Sequence, residues 1–265
     1  FVYILTSLLI SIPFYLSNYQ VTFLNSIFES VSGLTGTGFS IFKDIKYLDP
    51  TLILWRSSSQ WIGGLFFLFF LTIIFSNKSF NYKMTNLTYI GDHNFKSESN
   101  IKDNLLRIFI IYSLLSFFIL SLLNISGIRL FNSLNLSMTL ISNGGFLPTE
   151  NINKIISTNF QKIILIFSFL VSLLNLYLIF NLFNKKILIK EHKEDLYIVI
   201  LLIISSSLIY FNNFDGLDLI LSVASSLANS GLTLIESDNN LSLYFLLLTI
   251  IGGSLISNSS GIKVT

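Results

Sequence analysis

Three short stretches place small polar residues and glycine where apolar sequence stops: "LTGTGFS" (34–40), "ISNGGF" (141–146) and "SLANSGL" (226–232). None holds an ionisable side chain, so any chemistry must come from main-chain oxygens. Inward-turned carbonyls can replace the hydration shell of a monovalent cation, as in potassium-selective filters. Glycine permits the positive φ angles that aim successive carbonyls that way. The candidate ion-binding residues are Thr35, Gly36, Thr37 and Gly38, then Ser142, Asn143, Gly144 and Gly145, then Ala228, Asn229, Ser230 and Gly231.

These stretches end longer segments that align without a gap: "FLNSIFESVSGLTGTGFS" (23–40), "LFNSLNLSMTLISNGGFL" (130–147) and "GLDLILSVASSLANSGLT" (216–233). Superimposing Gly38, Gly145 and Gly231 also brings together Asn25, Asn132 and Asp218, and Leu34, Ile141 and Leu227. Asn and Asp are favoured helix N-caps, so each segment predicts a helix of roughly ten residues starting there and ending at the glycine loop. Such a helix is about 15 Å long, half of a hydrocarbon core of about 30 Å, so it can only enter and turn back. Its C-terminal partial negative charge would face the ion. Ordinary helix-ending turns would not require three such pieces in register.

The rest of the chain must hold these loops at membrane depth. Of its 265 residues, 52% are hydrophobic and 11% charged, whereas a soluble domain has about 25% charged. Mean hydropathy is +0.72. Several segments must therefore lie in lipid, and the formal charge of +2 gives no basis for a nucleic-acid partner. The absence of cysteine excludes disulfides and thiolate sites. Six apolar runs, roughly 1–17, 51–75, 105–124, 155–184, 195–211 and 241–257, read as membrane spans.

Two connections, 76–104 and 185–194, are plainly polar and lysine-rich, with His93 and His192 read as solvated. The positive-inside rule places them in the cytoplasm and the glycine loops on the outward side. The expected units are 1–75, 105–184 and 195–265, each a membrane helix, a pore loop and a membrane helix. An apolar run is already under way at Phe1, and the chain stops soon after another, so a fragment is expected. Arg56, beside Trp55, reads as an interfacial anchor in preference to a pore charge. Glu29 reads either as an attractor of cations at the outer mouth or as a helix-surface residue.

Together these motifs resemble the TrkH/KtrB superfamily of potassium transport proteins. "FESVSGLTGTGFS" (28–40) looks like the first filter loop, and "LWRSSSQWIGGL" (54–65) like the start of the helix after it. "ISNGGF" and "SLANSGL" are similar to the second and third filter loops. "GGSLISNSSGIKV" (252–264) resembles the family's glycine- and serine-rich stretch ending in Gly-Ile-Lys. The resemblance implies an all-α membrane protein, with membrane helix–pore loop–membrane helix repeats around one central ion pore, a voltage-gated-like K+ channel architecture. That family has four repeats, so the fourth would be absent here. It further implies potassium uptake across the bacterial inner (cytoplasmic) membrane, a homodimer in the lipid bilayer, and a cytosolic nucleotide-binding regulatory ring.

It also implies a gate loop below the filter, formed here by Gly252, Gly253, Ser257, Asn258, Ser259, Ser260, Gly261 and Lys263. The other reading of these glycines is close helix packing. This chain departs from the family pattern at the middle of each filter loop, where Gly36, Asn143 and Asn229 replace the usual Thr, and at Ala228. Ile256, Asn258 and Ser260 stand where Gly, Thr and Gly are more common. The first set bears on potassium over sodium selectivity, the second on how readily the gate bends.

No enzyme is expected and no cofactor beyond the transported K+. The dinucleotide fingerprint lacks its third glycine, and Ile262 interrupts the Gly-Lys pair of a phosphate loop. The alternative to a channel-like uptake protein is a secondary ion-coupled transporter with broken helices. It would show two inverted repeats, whereas these three run in the same direction.

Overall fold

The computed structural model describes residues 2–76, 98–176, 178, 193–209, 215–235, 239–254 and 256–264. Most of the two polar connections, with His93 and His192, lies outside the described residues.

The described elements recur in threes, a helix, a thirteen-residue helix and a helix. The first set is α1 (Val2–Tyr15), α2 (Phe23–Thr35) and α3 (Pro50–Ser76). The second is α4 (Glu98–Ile125), α5 (Leu130–Ser142) and α6 (Asn159–Leu173). The third is α7 (Lys193–Ile209), α8 (Gly216–Ala228) and α9 (Asn239–Ile250), followed by strands β1 (Ile251–Ser254) and β2 (Ile262–Val264). The register extends past the loops, because short 3-10 turns start at Ile45 and at Ile152, each seven residues after its aligned glycine.

Polarity is distributed inside out. Large apolar side chains such as Leu24 (77% exposed) and Phe117 (68%) face outward, while Ser30, Ser133, Asn135 and Ser225 are buried in α2, α5 and α8. A water-soluble fold arranges these the other way, so the outer surface suits lipid tails. Within α3 and α4, Pro50–Ile74 and Lys102–Ile125 are 25 and 24 residues long, enough at about 1.5 Å each to cross a core of about 30 Å. The thirteen-residue helices are about 20 Å long and cannot. The aromatics between α3 and α4 have satisfied polar ends: Trp61 Nε1 donates to Ser116 Oγ at 2.9 Å and Tyr112 Oη to Trp61 O at 3.1 Å.

Four expectations are corrected. The half-helices begin three residues earlier than Asn25, Asn132 and Asp218, with caps at Thr22, Arg129 and Asp215. The anticipated caps occupy N3, where a polar side chain still faces unpaired N–H groups; the same residue preference therefore fits two phases. Helix α4 begins at Glu98, inside the connection expected to end at 104.

The run 155–184 is not one helix. A capping box of Thr158 and Gln161 sets its start, and Leu174 is extended with ψ 158°, ending it at Leu173. The span expected over 241–257 stops at Ile250 and gives way to a small parallel pair, Ile251 opposite Ile262 and Ser254 opposite Val264. Two glycines follow Ile251, and the ladder pairs backbone groups that the interrupted helix leaves free.

Candidate functional site

The ends of α2, α5 and α8 share one geometry. Each is capped by a residue in the left-handed conformation: Gly36 (φ 69°), Asn143 (φ 55°) and Asn229 (φ 62°). Each also makes the same two bonds: Gly36 N to Gly33 O and Thr37 N to Ser32 O, Asn143 N to Leu140 O and Gly144 N to Thr139 O, Asn229 N to Ser226 O and Ser230 N to Ser225 O. This is the Schellman motif three times over. A hydroxyl reaches forward across two of the loops, Ser32 Oγ to Phe39 O at 2.5 Å and Thr139 Oγ1 to Phe146 O at 2.9 Å. Fixing the first part of each loop by its own N–H groups leaves later carbonyls for another partner.

The three loops meet beside Gly38, Gly145 and Ser230. A Cβ on Gly38, which has φ 76°, would lie 2.7 Å from Gly145 Cα, and one on Gly145 would lie 3.0 Å from Ser230 O. All twelve candidate ion-binding residues, from Thr35 to Gly231, therefore belong to one cluster of helix ends. The middle loop is packed between the other two.

Helix α3 supports this cluster with one stripe. Arg56, Ser59, Gln60, Gly63 and Gly64 recur at helical spacing and face the ends of α2 and α5 and the loops that follow them. Glycine at 63 lets α3 approach α2, since a Cβ there would sit 1.9 Å from Leu34 O. Gln60 lies over Gly144 and accepts from Phe146 N at 3.2 Å.

Arg56 is no interfacial anchor. It is 1% exposed and pairs with Glu29, 0% exposed, at 2.8 Å between Nε and Oε1. The Glu29 carboxylate also accepts from Ser40 Oγ and Ile41 N, both at 2.9 Å, and Arg56 donates to Ser40 Oγ at 3.0 Å. Glu29 is thus neither a mouth charge nor a surface residue. The guanidinium also lies 4.2 Å from the centre of the Phe146 ring, joining the first loop to the second.

The segment after α9 lies against the bases of the second and third loops. Asn258 Nδ2 donates to Ile141 O at 2.6 Å and Asn229 Nδ2 to Ser260 O at 3.1 Å. The Asn143 amide orientation that satisfies both its ends accepts from Ser259 N at 3.0 Å and donates to Ser172 Oγ at 2.5 Å. Lys263 Nζ closes the turn, donating to Ser257 O at 3.0 Å and Ser259 O at 2.5 Å. Gly252, Gly253 and Gly261 stand where this ribbon crosses itself and the end of α6. A Cβ on Gly252 would lie 2.5 Å from Ser260 O, one on Gly253 2.6 Å from Leu173 O, and one on Gly261 2.9 Å from Gly252 N. Ser254 Oγ donates to Leu173 O at 3.2 Å and Leu176 N to Ile256 O at 3.1 Å, so the break in α6 is sewn to the same segment.

Residues 3–186, well over half of the chain, match the profile of the family described as TrkH, cation transport protein. The chain belongs to the TrkH family. It is 26% identical over 279 aligned residues to an uncharacterized cation transporter of Methanocaldococcus jannaschii, covering 99% of this chain and 55% of that protein. Over 151 residues it is 27% identical to the Trk system potassium uptake protein TrkG of Escherichia coli, 54% of this chain and 30% of that one. A 55-residue portion is 44% identical to the Trk system potassium uptake protein TrkI of Halomonas elongata, 21% of this chain and 11% of that one. The crystal structure of the potassium transporter TrkH from Vibrio parahaemolyticus superposes with a TM-score of 0.80 at 19% identity, covering 99% of this chain and 57% of that chain. The chain thus spans little more than half the length of the relatives that match it throughout.

Membership of the TrkH family makes this a helical, multi-pass membrane protein of a cation transport family. Reading the sequence missed the α3 stripe that steadies the TrkH-family loops. Its signal was available: arginine, serine, glutamine and two glycines on one helical face inside an apolar run mark a buried contact surface.

Proposed function

We propose that the protein is the membrane subunit of a Trk/Ktr-type system and passes potassium ions inward through a filter of backbone carbonyls. The filter would be residues 35–38, 142–145 and 228–231, completed by a fourth repeat like that of the family. The observation that carries this reading is the convergence, at Gly38, Gly145 and Ser230, of three loops that each follow a left-handed helix cap of the same geometry. Three helix C-termini with their partial negative charge directed at one place favour a cation, and leave main-chain oxygens to coordinate it. The named potassium uptake relatives support the choice of ion.

The units 1–75, 105–184 and 195–265 act as successive pore repeats joined through cytoplasmic connections. A negative interior drives the ion, worth about 2.3 kcal/mol per charge per 100 mV. Segment 252–263 serves as the gate beneath the filter. The protein sits in the inner membrane as a homodimer and meets a cytosolic nucleotide-binding ring on its lysine-rich face; the system naming of its relatives supports partner subunits.

The test is rubidium uptake by a potassium-uptake-deficient bacterium carrying the completed reading frame, beside its Gly38→Ser variant. Uptake by the parent and its loss in the variant is the expected outcome. Equal uptake by both, with equal amounts in the membrane, would sink the reading.

A further inference from the structure

The last carbonyls of a helix have no partner within it. At the end of α5 three of them are taken in order: Thr139 O by Gly144 N, Leu140 O by Asn143 N and Ile141 O by Asn258 Nδ2. The first two bonds are local and repeat in all three loops. The third comes from 117 residues away, in the segment after α9. Ile141 O is one of the last carbonyls at the negative pole of α5, where a cation passing below the loops would be held. An amide of the gate segment occupies that place.

The same segment is gripped twice more, at consecutive residues and by equivalent positions of two loops. Asn143 accepts from Ser259 N at 3.0 Å, and Asn229 donates to Ser260 O at 3.1 Å. Both are the left-handed cap residues, so their side chains leave the loops at the same point of the motif. The first loop has Gly36 there and no side chain to offer. Three asparagines, two above and one below, thus bind the segment to the underside of the cluster.

We propose that Asn143, Asn229 and Asn258 form a latch that holds the gate segment shut against the filter. They are positioning residues for conduction, and the latch rests on reading the three loops as a filter. Its release would free Ile141 O for the cation, so gate closure and ion occupancy compete for one carbonyl. Selectivity should not depend on the Asn258 contact, because Ile141 and Asn258 both lie outside the filter residues 142–145 and 228–231 and the Schellman bonds that shape each loop do not involve the Asn258 side chain.

The experiment uses the completed reading frame, purified and placed in vesicles without any regulatory subunit, with rubidium and sodium flux measured separately. Asn258→Ala, which lies outside the filter residues, should raise rubidium flux roughly five-fold, the equivalent of one neutral hydrogen bond. The ratio of rubidium to sodium flux should stay at the parent's value, which a general loosening of the fold would not preserve. Asn258→Leu, which keeps the size but donates nothing, should match Asn258→Ala and guards against misfolding of the smaller variant. Parent-like flux in both Asn258 variants overturns the latch, and so does a raised flux with a collapsed rubidium preference. If the parent carries no more rubidium than Gly38→Ser, the filter reading itself fails and the latch falls with it.

Discussion

The first loop and the other two have the same backbone but different supports. Loop one is held from behind by charge: the buried pair of Glu29 and Arg56, both bonded to the Ser40 hydroxyl, ties the chain after Gly38 to α2 and α3. Loops two and three are held by neutral amides, Gln60, Asn143 and Asn229, and two of these reach the segment after α9. A buried ion pair is costly to open, whereas single amide bonds contribute about 1 kcal/mol each. One side of the cluster is therefore built to stay, and the other to let go.

Breaking the charged support should have the largest effect. Arg56→Leu strands the Glu29 carboxylate in a dry site and should cost about 3–5 kcal/mol, read as a large fall in melting temperature of the purified protein and loss of rubidium uptake. Replacing both, Glu29→Leu with Arg56→Met, should recover much of the melting temperature, because no charge is left unpaired. A single Arg56→Leu variant as stable as the parent would remove the contrast between the two sides.

A smaller effect separates two glycines of equal backbone geometry. Gly38 and Gly231 have φ of 76° and 69°, so alanine at either costs about 1–2 kcal/mol of strain. Only at Gly38 does the new Cβ meet a neighbour, 2.7 Å from Gly145 Cα, while at Gly231 nothing lies within 4 Å. Overpacking should add about 1–3 kcal/mol at Gly38 alone. Rubidium uptake should be abolished by Gly38→Ala and only reduced by Gly231→Ala; the reverse order would place the loops differently around the pathway.

The smallest effect is expected on the outer side of loop three. Lys162 of α6 pairs with Asp218 in the first turn of α8, both partly exposed. Lys162→Ala should lower stability by no more than about 1 kcal/mol, and the difference should shrink in high salt. A loss as large as that of Arg56→Leu would mean that charge supports both sides alike.

Much of this was legible in the chain. The alignment of Gly38, Gly145 and Gly231 needed no structure, because loops with the same backbone demand small or amide residues at the same places. Leu34, Ile141 and Leu227 aligned for the same reason. Helix starts were misplaced by three residues because Asn or Asp suits both a cap and the third position of the first turn. The breaks at Leu174 and after Ile250 were hidden or blurred by apolar composition, which reads alike in a helix and in a buried extended segment.

Composition and spacing by themselves determined a membrane-bound chain of three like units, each ending a short helix in a glycine loop, since lipid tolerates few other arrangements of such sequence. Only the tertiary structure decided what stands behind the loops. Glu29 and Arg56 are 27 residues apart and Asn258 and Ile141 are 117 apart, so no local pattern links them. Burial turned a pair of charges that looked superficial into a brace, and turned three asparagines in different segments into contacts on one narrow ribbon.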